Sequence, residues 1–170
     1  MRTILLLVSV LTTITVSAQQ DKSQRPSPPA LAKETLNSGP TISIDYSQPA
    51  VKGRTIGTDL EPMPGKVWRT GANEATVFET DKDIKVEGKS LAAGKYGLFT
   101  IMDGDEWTII FNKTWNQWGA FTYKEADDVL RVKVKCGKAS QFNERMTFTI
   151  SKDGKVSLFW GDIQVDFKVE

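Results

Sequence analysis

Histidine is absent from the 170 residues, and cysteine occurs once, as Cys136. Without histidine, neither a Ser-His-Asp nor a Cys-His nucleophile system can be assembled within one chain. Histidine-ligated zinc, copper and iron sites are excluded as well, and a lone cysteine excludes thiolate clusters. What remains open is a hard cation held by carboxylates and carbonyls. Asp103-Gly104-Asp105-Glu106 is the nearest approach, but its spacing fits no complete calcium loop and reads as an acidic hairpin tip. No metal and no cofactor is therefore assigned. An internal disulfide is impossible too, so the fold rests on its core alone. Cys136 shares parity with Leu130, Val132 and Val134 and reads as a small buried residue.

A surplus of charge is missing as well. Lys and Arg number 22 against 21 Asp and Glu. That balance has no attraction for nucleic acid or an anionic membrane surface. The single long uncharged stretch, Ile4 to Val16, follows Met1-Arg2 and precedes Val16-Ser17-Ala18. A positive start, a short apolar stretch and small residues at the cut describe a secretory signal peptide, with cleavage after Ala18. The stretch falls short of the ~20 residues a membrane-spanning helix needs. The expected product is exported, periplasmic or secreted, with no membrane span once residues 1–18 are removed. Its oligomeric state is not legible.

Residues 19–36 are polar and proline-bearing (Arg25-Pro26-Ser27-Pro28-Pro29) and read as a mobile lead-in. Residues 37–170 read as one domain, of ordinary size for a single core. A 3.6-residue apolar stripe of helical length is lacking throughout; Lys124–Val129 offers one turn at most. Two-residue alternation is everywhere instead. Ile42, Ile44 and Tyr46 alternate with polar neighbours, as do Ile84 and Val86, Leu130 to Val134, Met146 to Ile150, and Ile163 to Val169. Trp107 to Phe111 is apolar enough for burial on both faces. Asp153-Gly154 suggests a two-residue type I′ hairpin, and Gly161-Asp162 a further tight turn, which would make residues 146–169 a three-stranded meander. The expectation is an all-β domain, a single antiparallel β-sandwich of about eight to ten short strands, with a closed β-barrel as the alternative.

Two blocks break the alternation. Gly65–Thr76 and Asn112–Phe121 each gather tryptophan, glycine and hydrogen-bonding side chains. With Ile44-Asp45-Tyr46-Ser47, Val51-Lys52-Gly53-Arg54, Ala93–Ile101 and Trp107–Lys113, they resemble the family called domain of unknown function 2911, found in exported bacterial proteins. The resemblance spans roughly Ser27 to Val169. It implies an exported single domain and supplies no catalytic residues. Pro64 stands where that family often has an aromatic, and Ala92 where proline is common.

From the residues themselves, Arg54, Arg69, Asn73 and Glu74 suit recognition of a carboxylate, phosphate or sugar hydroxyls, because the arginine fork binds planar anions. The same set serves equally as an internal network, with Arg69 paired to Glu74 across a tight loop. Trp115 and Trp118, with Asn112 and Gln117, suggest an aromatic platform flanked by amides for a small polar ligand or glycan; alternatively the tryptophans plug one end of the core. These eight residues are the candidate ligand site, expected to converge on one concavity. Paired carboxylates are the one hydrolytic scheme open to a chain without histidine. Glu74 is the candidate there, with Asp45 as a partner chosen only for its place in a family-like block. A structural or partner-binding role, with both blocks as core, is the third reading.

Overall fold

The computed structural model describes residues 21–170; the leader and its cleavage point lie outside them. Ten strands are present among the described residues: Pro29–Thr35 (β1), Thr41–Ser47 (β2), Val67–Trp68 (β3), Thr76–Thr80 (β4), Ile84–Val86 (β5), Lys89–Leu91 (β6), Gly94–Asp103 (β7), Glu106–Asn112 (β8), Asp128–Ile150 (β9) and Lys155–Lys168 (β10). The main sheet runs β1-β2-β4-β7-β8-β9-β10, all antiparallel, with β3 added beside β7; β5 and β6 form a small second sheet. The all-β antiparallel reading holds. In detail the large sheet is open and strongly curled, a half-barrel around one core.

Curling follows from two long strands. β9 pairs with β8 from Asp128 to Lys135 and with β10 from Cys136 to Ile150, and the β9–β10 register shifts on either side of Gly161. Gly161 takes φ +59 and pairs with Asn143, while the extra residues bulge from β9 between Lys138 and Thr147. A bulge bends the strand and increases its twist, so one continuous ribbon turns around the core. Gly161-Asp162 is therefore not a reversal, and the expected meander is a two-stranded ribbon. The Asp153-Gly154 turn is also corrected. Ser151–Gly154 form a four-residue loop with positive φ at Gly154 but not at Asp153, whereas a type I′ turn needs both.

Residues 29–35, expected within the lead-in, pair with β2 along all seven positions as β1. Export aside, the ordered domain thus begins before residue 37.

Alternation predicts the core well. Ile42, Ile44 and Tyr46 are buried, as are Phe78, Leu98, Trp107, Ile109, Phe111, Phe148, Leu158 and Trp160. β8 is buried on both faces. Its outer face, with Ile110, joins Ala75 and Phe99 in a small second cluster covered by Ala120 and Tyr123. The Phe99 and Tyr123 rings lie 5.0 Å apart. That outer cluster draws the segment after β8 back across β7 and β4, and so positions the second of the two unusual blocks.

Candidate functional site

The loop from Arg69 to Ala75 is shaped by its own hydrogen bonds. Thr70 and Asn73 take φ +52 and +59. The Thr70 hydroxyl donates to Thr100 Oγ1 at 3.2 Å, Thr76 Oγ1 donates to the Thr70 carbonyl at 2.8 Å, and Trp68 Nε1 donates to the Gly71 carbonyl at 3.1 Å. Gly71 is demanded by proximity. A Cβ there would stand 2.9 Å from Thr76 Oγ1 and 3.1 Å from the Ser47 carbonyl oxygen.

The two blocks meet at one end of this loop. Glu74 and Trp118 form an antiparallel bridge. The Ala75 N–H donates to the Gln117 carbonyl and the Gly119 N–H to the Asn73 carbonyl, each at 3.0 Å. A hollow of about 180 Å³ opens beside this junction, and Asp45, Glu74, Trp115, Asn116 and Gln117 line it with Lys22 and Arg25 of the N-terminal segment. Arg25 Nη1 reaches both carboxylate oxygens of Glu74, at 3.1 and 2.8 Å, and Lys22 Nζ lies 3.1 Å from one of them. Burial alone would raise the Glu74 pKa, but hydrogen bonds from its own backbone, Arg25 and Lys22 outweigh it and hold the carboxyl below its ordinary value. Glu74 is thus an ionised group, poorly suited to donate a proton.

Both tryptophans face solvent. Trp115 is 38% and Trp118 55% exposed, and Phe121 in the same segment is 84% exposed. Each tryptophan carries a cation over its ring, Lys95 Nζ at 5.5 Å from Trp115 and the Arg25 guanidinium at 5.9 Å from Trp118, a contact worth ~0.5–1 kcal/mol at exposed positions. The reading of both rings as plugs of the core is overturned. Gln117 is held by the Thr114 carbonyl at 2.6 Å and by the Thr122 hydroxyl at 2.9 Å, so its amide braces the loop that presents the rings.

Of the eight candidates Glu74, Trp115 and Gln117 line the hollow, Asn73 and Trp118 flank it through the bridge between the two blocks, and three lie elsewhere. Asn112 is fully buried. Its Nδ2 donates to the Lys124 carbonyl at 3.0 Å and to Asp128 Oδ1 at 2.7 Å, and its Oδ1 accepts from the Thr114 N–H at 2.9 Å. Asp128 in turn accepts from Tyr123 Oη and Arg131 Nε. Burial, reinforced by the hydrogen bond to Asp128, pushes the Tyr123 pKa up to about 12. This is a structural network that closes the 112–131 excursion, and Asn112 has no atom left for a ligand. Arg54 and Arg69 line a different cavity, which shares no lining residue with the hollow. The single concavity expected for all eight residues is therefore divided in two. Arg69 does not pair with Glu74; the turns at Thr70 and Asn73 part them. Asn73 Nδ2 donates to the Ser27 carbonyl at 3.0 Å and anchors the N-terminal segment.

Lys22 and Arg25 were not among the sequence candidates. Asn116 sits between the two tryptophans and was legible from its block. Lys22 and Arg25 sit 49 or more positions before their partner, inside a stretch whose composition signals only a linker. Cys136 is partly buried; burial and, after it, Asp105 push its thiol above the ordinary value, so it is not a reactive thiolate.

A family model described as protein of unknown function (DUF2911) matches residues 27–169. The chain belongs to this family. No curated protein and no solved structure matches it. Among the described residues, no helix is long and apolar enough to cross a membrane.

Proposed function

We propose that this domain is a non-catalytic binding module, acting after export, that takes a glycan or similar small polar ligand in the hollow beside Glu74. The observation that carries this reading is the presentation of two tryptophan rings to solvent beside that hollow. Sugars offer apolar ring faces to aromatic side chains and hydroxyls to amides and charged groups. Asn116 and Asp45 supply polar atoms at the wall, and a cation stands beside each ring, Lys95 at Trp115 and Arg25 at Trp118. Thermal denaturation with a panel of neutral oligosaccharides tests it. A ligand at 100 times its Kd adds ~2.7 kcal/mol, a rise of roughly 5–10 °C for a domain of this size. The rise is expected to vanish in Trp115→Ala. Absence of any shift across the panel removes the reading. Export is tested separately, by sequencing the amino terminus of the processed protein, which should begin at Gln19.

A second reading rests on one observation, that Asp45 and Glu74 line the same hollow. In a carboxylate-dependent glycan hydrolase the ionised Glu74 would be base or nucleophile and Asp45 the acid. Release of reducing ends that survives Glu74→Gln rules this out.

A further inference from the structure

We infer that the cavity between Arg54 and Arg69 is a second binding site, built for a small monocarboxylate with an apolar body. It is about 280 Å³ in volume, just under the range of roughly 300–1,000 Å³ common for drug-sized ligands. The occupant is therefore small. This site stands independently of the hollow beside Glu74.

Three features select the ligand. First, Arg69 Nε is buried and has no hydrogen-bond partner among the described residues. A buried guanidinium donor left unmatched is costly, and burial pulls the Arg69 pKa below its ordinary value with only Glu61 opposing. Neither Arg54 nor Arg69 joins an ion pair among the described residues. Second, Arg54 is fixed. Its Nε donates to the Val51 carbonyl at 3.0 Å and its Nη2 to the Ala50 carbonyl at 2.6 Å, leaving Nη1 uncommitted. Two guanidinia with spare donors on one cavity suit a planar carboxylate, which the arginine fork matches. Third, Leu60, Met63, Trp68 and Trp160 supply apolar lining.

Carboxylates of the protein set the limit on ligand charge. Asp59 and Glu61 also line the cavity. Each has one oxygen engaged by its own loop, Asp59 Oδ1 by the Thr55 N–H at 2.5 Å and Glu61 Oε2 by the Met63 N–H at 2.8 Å. Two cations against two anions make a site of little net charge. A multiply charged phosphate would meet more repulsion there than a single carboxylate placed on Arg69.

Calorimetric titration of the purified chain with benzoate, benzyl alcohol and inorganic phosphate tests the assignment. Benzoate is expected to saturate one site, with the alcohol and phosphate at least about tenfold weaker, a difference of ~1.4 kcal/mol. Arg69→Met should weaken benzoate by a similar factor, and Trp115→Ala should leave it unchanged. Arg54→Met and Arg69→Lys give the same reading should Arg69→Met fail to fold. Equal binding of alcohol and benzoate, tighter binding of phosphate, no saturable benzoate heat, or full affinity in the arginine variants would each overturn it. Because Trp115→Ala separates the two sites, failure of this inference is distinguishable from failure of the glycan reading.

Discussion

Across the core, the Tyr46 hydroxyl accepts a hydrogen bond from the Phe148 backbone N–H at 3.0 Å, and the two rings meet edge to face with centroids 5.1 Å apart. Tyr46 belongs to β2 and Phe148 to β9, 102 positions later. This contact ties the two arms of the curled sheet beside the isolated Ala50–Arg145 bridge. It also supplies the partner that an otherwise unpaired buried N–H requires.

Tyr46→Phe keeps the ring and removes that acceptor. Stability is expected to fall by about 1–3 kcal/mol, the cost of a buried donor left unsatisfied. The midpoint of urea unfolding should drop with an unchanged slope. An unchanged midpoint would mean that water or another group takes over the Phe148 N–H.

Asn112→Ala deletes the hub that holds Lys124, Asp128 and Thr114. We expect a loss of about 1–3 kcal/mol in the same assay. Ligand affinity at the hollow, measured on the folded fraction, should stay near the parent value because Asn112 has no exposed atom. A selective loss of affinity with full stability would return Asn112 to the ligand site.

For Glu74 the pH dependence has a definite sign. Its folded pKa lies below the unfolded value, so the stabilisation is present above the unfolded carboxylate value (~4.3) and is lost as pH falls through the folded one. The stability gap between the parent and Glu74→Gln should be widest near neutrality and close in acid. With the Glu74 side chain 40% exposed, solvent screens its pairs with Arg25 and Lys22, and added salt should narrow the gap further. Denaturation curves across a pH series, at low and high salt, provide the check.

The tryptophans should divide cleanly. Trp107 is fully buried, and Trp107→Ala should cost about 3–5 kcal/mol. Trp115→Ala and Trp118→Ala remove exposed rings and should stay within about 0.5–1 kcal/mol, apart from any loss of ligand. Acrylamide should quench emission from Trp115 and Trp118 and spare Trp107; uniform quenching contradicts the exposures.

Local pattern determined a good deal of this protein. Strict alternation at Ile42-Ile44-Tyr46 and at Trp107-Ile109-Phe111 assigned strands and core, because a pleated backbone sends successive side chains to opposite faces. The lack of histidine and of a second cysteine limited the chemistry before any coordinates. Membership of the family was legible from the same blocks. What composition could not reveal were relationships set by chain path. Gly161-Asp162 has the residues of a turn, yet it lies within one strand opposite a bulged stretch of β9, since a glycine at positive φ serves either and only the partner strand decides. Residues 22–25 look like a linker, yet they close on Glu74 because β1 pairs with β2 and carries them there. Arg69 and Glu74 are near neighbours in the chain, yet the positive φ angles at Thr70 and Asn73 send them to separate cavities. Short-range chemistry chose the elements; the curl of one long ribbon decided which side chains would meet.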